Sequence, residues 1–600
     1  MLIEVFPENP RRSMANHASS LDAPLSWPRF LARFWHLAGP YWRSPRKSRA
    51  RLLTLLVVAL TFAQVALAIV LNFWNEQFFN ALEQKRLDRF LLLVGVFALI
   101  VAANVAVMSL HLHFKRRLQV DWRDWLTAAT LDRWMAEPYQ LGQMPGAHDN
   151  PDARIAEDAR IATEYAVDLV HSALYANLLL ISFVIVLWRL SGTVTVELGG
   201  WALAIPGHLV LIGVVYSVLG TWFALWLGRP LMAAADRRQS AEAGFRFGLV
   251  HALENAVAIA LVKGERDERR RFADLFLAAI AAWNRQTAAL RNLYLYTMSW
   301  PMFSQIFPIL IAAPRYIAGS ITLGTLMQSA QAFQQMTAAL SWPIDNLAKA
   351  ADWRASVERV HGLRADLHRL ERGVDAPDAH RIAIATSERP VLALRGLAIE
   401  NPDGSLAIDR FSLEIGSGER VLISGETGAT TKLFRAVAGI WPWGKGRIEL
   451  PQGAAIYYMP ERPYLPVGTL ADAVRYHGAP DRDAAAIAQA LRQVGLGRLA
   501  PRLDEAAVWE HELGVSDQQR LGFARLLLHR PDWIFMQEPT DALDAEGERE
   551  LMTLLQEQFP RATIITISQR LVMRRYHGRH LSLQRHDGCA IVKETVLSEG

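Results

Sequence analysis

Val421-Leu-Ile-Ser-Gly425-Glu-Thr-Gly428-Ala-Thr-Thr-Lys432-Leu-Phe-Arg-Ala436 decides how the C-terminal third of this 600-residue chain is read. A short apolar run leads into a Gly-bearing loop, then into an apolar segment of helical period that ends at Gly439. That is the outline of a strand, a phosphate loop and a helix N-terminus, where backbone N–H groups and the helix dipole hold phosphate. The strict pattern is G-x-x-x-x-G-K-[ST]. Counted from Gly425, its glycine, lysine and hydroxyl places fall on Thr430, Thr431 and Lys432. The scaffold of a nucleotide site is written here with its central charge out of register.

Around this stretch, short apolar runs at 391–394, 411–415, 456–458 and 534–536 alternate with helix-compatible segments at 481–494 and 517–528. Alternating β and α predicts an α/β domain with a partly parallel sheet over 390–600. Residues 351–389 are charged, lack long apolar runs and read as a linker.

Upstream the composition changes. Hydrophobic residues make up 51% of the whole chain, charged residues 20%, and mean hydropathy is +0.10, which places part of it in lipid. Uncharged runs at 52–73 and 90–110 are long enough to cross a bilayer, which takes roughly 20 residues. Further spans are predicted at 167–187, 205–227, 297–313 and 323–344. Residues 1–50 read as a cytoplasmic N-terminus with an interfacial helix, and 51–350 as six spans with two long cytoplasmic extensions. The net charge of +5 and pI of 9.3 do not point to nucleic acid. The basic residues (Arg43, Arg46, Lys47, Arg49, Arg51; Lys115, Arg116, Arg117) sit beside apolar segments, as cytoplasmic flanks do. Both ends are therefore expected in the cytoplasm. Cys589, the single cysteine, excludes an intrachain disulfide. The first twenty-five residues carry no continuous apolar core, so insertion through the chain's own spans is expected.

Asp168, His171 and His208 lie near span ends, where an interfacial position is the simpler reading and a proton or solute path the alternative. Glu242, Glu254 and Glu265 precede span five and read first as a solvated helix face.

Longer strings carry a resemblance. They are Phe34-Trp and Gly39-Pro-Tyr-Trp42, Asn72-Phe-Trp-Asn-Glu-Gln-Phe-Phe-Asn-Ala-Leu82, Asp149-Asn-Pro-Asp-Ala-Arg-Ile-Ala-Glu-Asp158, and Ala241-Glu-Ala-Gly-Phe-Arg-Phe247. Glu254-Asn, Gly264-Glu265, Ala312-Ala-Pro-Arg-Tyr316, Ala436-Val-Ala-Gly-Ile-Trp-Pro-Trp-Gly444, Arg462-Pro-Tyr-Leu-Pro-Val-Gly-Thr-Leu470 and Gln518-Gln-Arg-Leu-Gly-Phe-Ala-Arg-Leu-Leu-Leu528 extend it. The chain resembles an ABC half-transporter of the exporter-like kind. It looks like the SbmA/BacA-like branch with a fused ATPase, akin to the peroxisomal acyl-transporter type. The resemblance implies a six-helix transmembrane domain followed by a P-loop-type ATPase domain, using ATP and Mg²⁺. It also implies a homodimer or heterodimer in a bacterial inner membrane, moving a bulky amphipathic solute such as a peptide, cobalamin-like or acyl compound.

Placed on the family pattern, the chemistry positions depart from it. Counted back from Ala436-Val-Ala-Gly439, the loop looks one residue short, which moves the lysine place to Thr430; by either count a threonine fills it. Gly425, Glu426, Thr427, Gly428, Ala429, Thr430, Thr431, Lys432 and Gln537 are the nucleotide-binding candidates, with Gln537 at the Walker B acid. The signature, facing a partner's nucleotide, falls on Leu513, Gly514, Val515, Ser516 and Asp517, with Ser and Gly exchanged. The Q-loop glutamine falls at Glu461 and the switch histidine at Gln569; Glu538 (general base) and Asp544 (D-loop) match.

The loop lysine and Walker B acid hold phosphate and Mg²⁺ charge. Each hydrogen bond to a charged group contributes about 1.5–3 kcal/mol, so weak or absent turnover is expected without an intact partner subunit. The alternative is a proton-driven transporter whose ATPase domain only dimerises, with Glu242, Glu254 and Glu265 as coupling candidates. A non-transporting membrane scaffold is a third reading.

Overall fold

The computed structural model describes residues 27–136, 150–198, 201–375, 381–476, 483–586 and 588–596. The expectation for the first twenty-five residues, and Asp149 and Asp481 of the quoted segments, lie outside these. The chain divides into two compact units along its length, with the change at Arg364/Ala365.

The first unit is helical: Trp27–Ala38 (α1), Lys47–Glu83 (α2), Leu87–Ala136 (α3), Ala159–Ser191 (α4), His208–Glu254 (α5), Ala256–Leu261 (α6), Glu265–Ile317 (α7), Leu323–Asp345 (α8) and Leu347–Asp375 (α9). The helices overrun the apolar runs. Only residues 84–86 separate α2 from α3, where the apolar runs alone suggested about 15 residues of loop. Among the described residues α2, α3, the helix reaching Ser191 and α5 are long and apolar enough to cross a bilayer. Many of their leucines face outward, as Leu92 (65% exposed) and Leu99 (71%) do on α3, which suits lipid rather than water.

The fifth and sixth expected spans lie inside α7 and α8, which are helical but fall short of that apolarity. Among the described residues, four of the six expected spans meet that apolarity. The physical reason is visible on α8, which packs against α2, α4, α5 and α7. Its polar groups are enclosed by protein: Asn72 Nδ2 donates to the Gln328 carbonyl (3.1 Å) and to Gln331 Oε1 (3.2 Å), and Asn75 Nδ2 donates to Gln331 Oε1 (3.1 Å). At Gly324 a Cβ would collide with the Glu76 carbonyl, so glycine lets α8 close on α2. The Asn72–Leu82 string is thus the seam between these helices.

Two of the three span-end groups have hydrogen-bond partners. Asp168 is paired with Lys115 (3.1 Å) and Lys349 (2.6 Å) and accepts from Gln119 Nε2 (2.8 Å), tying α3, α4 and α9 together. The His171 ring lies 4.1 Å from that of His111, and His208 shares a hydrogen bond with Ser191 (3.1 Å). The short connection between α4 and α5 holds an unanticipated antiparallel hairpin, Thr193–Leu198 (β1) with Trp201–Pro206 (β2). The stretch read as a linker begins as helix α9. Its apolar residues Trp353, Val357, Val360 and Leu363 recur at helical spacing and are buried.

The second unit is built on a ten-stranded sheet. Its strands are Ala383–Ser387 (β3), Val391–Glu400 (β4), Leu406–Gly416 (β5), Arg420–Gly425 (β6), Gly444–Pro451 (β7), Ile456–Met459 (β8), Trp533–Gln537 (β9), Thr563–Ile567 (β10), Arg579–His586 (β11) and Cys589–Val596 (β12). They run in the order β3-β7-β4-β5-β12-β11-β6-β10-β9-β8. The β11-β6-β10-β9-β8 stretch is parallel, while β4 pairs antiparallel with β5 and β7. One face packs Leu433, Phe434 and Val437 from the helix after β6; the other packs Leu521, Phe523 and Leu551. Parallel strands buried on both faces read as continuous apolar runs, which is how β6, β9 and β10 appear in the sequence.

Candidate functional site

Ligands of such sheets sit beyond the carboxyl ends of parallel strands. Here the ends of β6, β9 and β10 bring together Gly425, Gln537, Glu538 and Gln569. At Gly425 φ is +126° and a Cβ would collide with the Leu583 carbonyl, so only glycine fits. Glu426 N donates to that same carbonyl (3.1 Å). The helix then starts at once: Thr427–Val437 (α10), with Glu426 at the N-cap. Ala429 N and Thr430 N donate to the Glu426 carbonyl at 3.1 and 2.9 Å, so these amides turn into the helix rather than toward a ligand. No arch separates strand from helix. What remains open is the first turn, with the amides of Thr427 and Gly428 at the positive end of the dipole.

Thr430, in the lysine place of the shorter count, is 1% exposed, and its hydroxyl donates to the Thr427 carbonyl (3.1 Å). Thr431 Oγ1 accepts from Gln537 Nε2 (3.0 Å). A hydroxyl on α10 facing the last residue of β9 favours the count in which Thr431, not Lys432, holds the hydroxyl place. Lys432 carries its ammonium to the face of Trp441, 5.9 Å from the ring centroid.

Gln569 closes the cluster. Its Nε2 donates to the Gly425 carbonyl (2.5 Å) while its Oε1 accepts from Gly425 N (3.3 Å). Glu538 sits just past β9 with φ of +41°, and its N donates to the Ile567 carbonyl (2.8 Å). Its carboxylate accepts from Ser568 Oγ (2.9 Å) and Gln569 N (3.1 Å). Burial pushes the Glu538 carboxyl above its ordinary range. These two hydrogen bonds oppose that, and the charges of Asp541 and Glu461 add to it.

Gln519 has no signal in the sequence beyond its place in the Gln518–Leu528 string. It is 1% exposed: its Nε2 donates to the carbonyls of Glu461 (3.3 Å) and Glu538 (3.2 Å), and its Oε1 accepts from Ala542 N (3.0 Å). One amide therefore joins three loops of the site. The signature residues lie at the start of that residue's helix, Val515–His529 (α11). Gly514 is its N-cap, the Leu513 carbonyl accepts from Gln518 Nε2 (2.9 Å), and Asp517 is paired with Arg498. Asp544 caps the next helix, Ala545–Gln558 (α12), by accepting from Gly547 N (2.9 Å). Glu242, Glu254 and Glu265 are not enclosed; the last two end α5 and begin α7, on either side of short α6.

Comparison with known proteins agrees with this architecture. Residues 40–316 match the family model described as ABC transporter transmembrane region 2. The inner membrane ABC transporter ATP-binding protein YddA of Escherichia coli is 30% identical over 91% of this chain and 96% of its own length. The chain belongs to the ABC transporter family. This ABC transporter is also 26% identical to the chloroplastic ABC transporter D family member 2 of Arabidopsis thaliana, over 97% of the chain and 91% of that protein. Human ATP-binding cassette sub-family D member 3 is 24% identical over 74% of the chain and 71% of its own length. A bacterial Atm1-family ABC exporter solved with ATP bound superposes with a TM-score of 0.61 at 17% identity, over 90% of this chain and 94% of that one, a likeness of fold. The ABC transporter thus joins a membrane region and an ATP-binding domain in one chain.

Proposed function

We propose that this chain is one half of a dimeric ABC transporter whose own nucleotide site turns ATP over weakly or not at all. Transport then requires an intact partner subunit contributing its own lysine, acid and base. The single observation that carries the reading is the closed cradle. Gln569 bonds both backbone atoms of Gly425, α10 starts two residues later, and a neutral Thr431–Gln537 pair stands where Mg²⁺ would be held. Where ATP and Mg²⁺ bind, the first-turn amides of α10 and the Thr431 hydroxyl are the groups that meet the phosphates. Glu538 is the base nearest them. The solute is bulky and amphipathic. The protein resides in a bacterial inner membrane with six helices crossing it and both termini cytoplasmic, α7 and α8 supplying the fifth and sixth spans. The SbmA/BacA-like, proton-driven alternative gains nothing from Glu242, Glu254 and Glu265, which lie beyond the apolar run 205–227 and before 297–313 and are exposed.

The test is ATPase activity of the purified chain in nanodiscs, alone and after coexpression with an intact half-transporter from the same genome. Activity only in the mixed complex is expected. Robust hydrolysis by the chain alone would overturn the proposal.

A further inference from the structure

A cavity of about 1010 Å³ opens between α5, α7, α8 and the start of α9 within the membrane unit. One end is aromatic. The Tyr216 and Trp300 rings stack at 4.3 Å, and Tyr296 lies 5.4 Å from Trp300. Both tyrosine hydroxyls are spent on backbone: Tyr216 donates to the Trp300 carbonyl (2.9 Å) and Tyr296 to the Gly220 carbonyl (2.7 Å). The rings are therefore held as flat faces. At Gly220 a Cβ would come within 2.7 Å of the Trp300 ring, so the glycine sets where that ring stands.

Among the residues lining the cavity there is one cation, Arg229, and one carboxylate, Asp345. Arg229 is thirteen residues along α5 from Tyr216, roughly 20 Å at 1.5 Å per residue. Asp345 ends α8, where the negative end of the helix dipole disfavours a carboxylate. Among the described residues neither side chain has an ion-pair or hydrogen-bond partner. Two opposite, exposed charges without such a partner line the same cavity as the aromatic rings.

We propose that this cavity binds an amphipathic zwitterion, its flat apolar body on Trp300, Tyr296 and Tyr216, its ammonium at Asp345 and its acidic group at Arg229. Asp345 and the ring faces together favour an ammonium, by ion pairing and by cation–π attraction. This rests on the transporter reading above, and it names the chemistry of the solute.

The experiment is equilibrium binding to the full chain in detergent without nucleotide, so neither the presence nor the loss of ATP turnover affects the result. The probes are a radiolabelled dipeptide of two phenylalanines, its N-acetyl form and its C-terminal amide. Saturable binding of the free dipeptide is expected, weakened about ten-fold by either blocking group. Asp345→Asn and Arg229→Gln each weaken it to a similar extent. Asp345→Asn leaves the affinity of the N-acetyl form unchanged, and Arg229→Gln leaves that of the amide unchanged. Unaltered melting temperatures certify that both variants fold. Displacement by lysophosphatidylethanolamine assigns the same chemistry to a lipid headgroup, and failure to displace assigns it to a solute from water. Absence of saturable dipeptide binding, or binding indifferent to both charge variants, overturns the proposal.

Discussion

Gln537→Asp is the most telling single change. The Gln537 amide lies 3.0 Å from Thr431 Oγ1, so an aspartate there puts a carboxylate oxygen beside a hydroxyl, the pair that suits a hard cation bridging to phosphate. The native pair is neutral and self-satisfied. ATP affinity of the native chain should therefore change by less than about two-fold when Mg²⁺ is chelated. A charge-assisted contact contributes about 1.5–3 kcal/mol, and each 1.4 kcal/mol is ten-fold, so the variant should gain about one to two decades of Mg²⁺-dependent affinity. Binding of radiolabelled ATP to the full chain in nanodiscs, with Mg²⁺ or with EDTA, measures both. Tight Mg²⁺-dependent binding by the native chain would refute the argument, as would a variant whose affinity is indifferent to Mg²⁺.

Three other outcomes follow from individual contacts. Gly425→Ala forces a Cβ into the Leu583 carbonyl and should destabilise the ATP-binding unit by about 3 kcal/mol or more, read as a lowered denaturation midpoint; an unchanged midpoint would disprove the strain. Asp168→Asn leaves Lys115 and Lys349 facing each other and should lower thermal stability by about 2 kcal/mol, while Asp168→Asn with Lys349→Met should recover part of it in differential scanning fluorimetry. His577 is buried, hydrogen-bonded at Met573 O (2.7 Å) and Thr566 Oγ1 (2.8 Å), and burial pushes its imidazole down to about 4. A folded-state value below the unfolded one means that stability is fully present above about pH 6.5 and is lost as pH falls toward 4. The loss amounts to about 3 kcal/mol, and His577→Gln should flatten that stretch of the pH–stability curve.

Much of the fold was legible because lipid imposes a simple demand. An uninterrupted apolar stretch as long as 52–73 matches the thickness of a bilayer's hydrocarbon. The sheet was legible for a similar reason, since strands covered on both faces are apolar throughout. What escaped was set by neighbours rather than by local pattern. The β1–β2 hairpin had a signal in Gly199-Gly200 between two alternating segments, but its short span read as a plain connection. Helix α9 was hidden because its apolar residues are spaced around a helix instead of gathered in a run. In the site, the identities of Thr430, Gln537 and Gln569 were visible in the sequence. Their hydrogen bonds were not, because Gly425 and Gln569 are 144 residues apart. Gln519 was missed for the same reason: its partners lie on three loops distant along the chain.

The glutamine-rich character of α8 has a consequence for biogenesis. A helix too polar to partition into hydrocarbon on its own enters a bilayer only when companions are already there to shield its amides. The four apolar helices must then be in place before α8 packs, and the seam at Gly324 and Asn72 is where it docks. Separated from the preceding helices, residues 265–345 should remain at the membrane surface instead of crossing it.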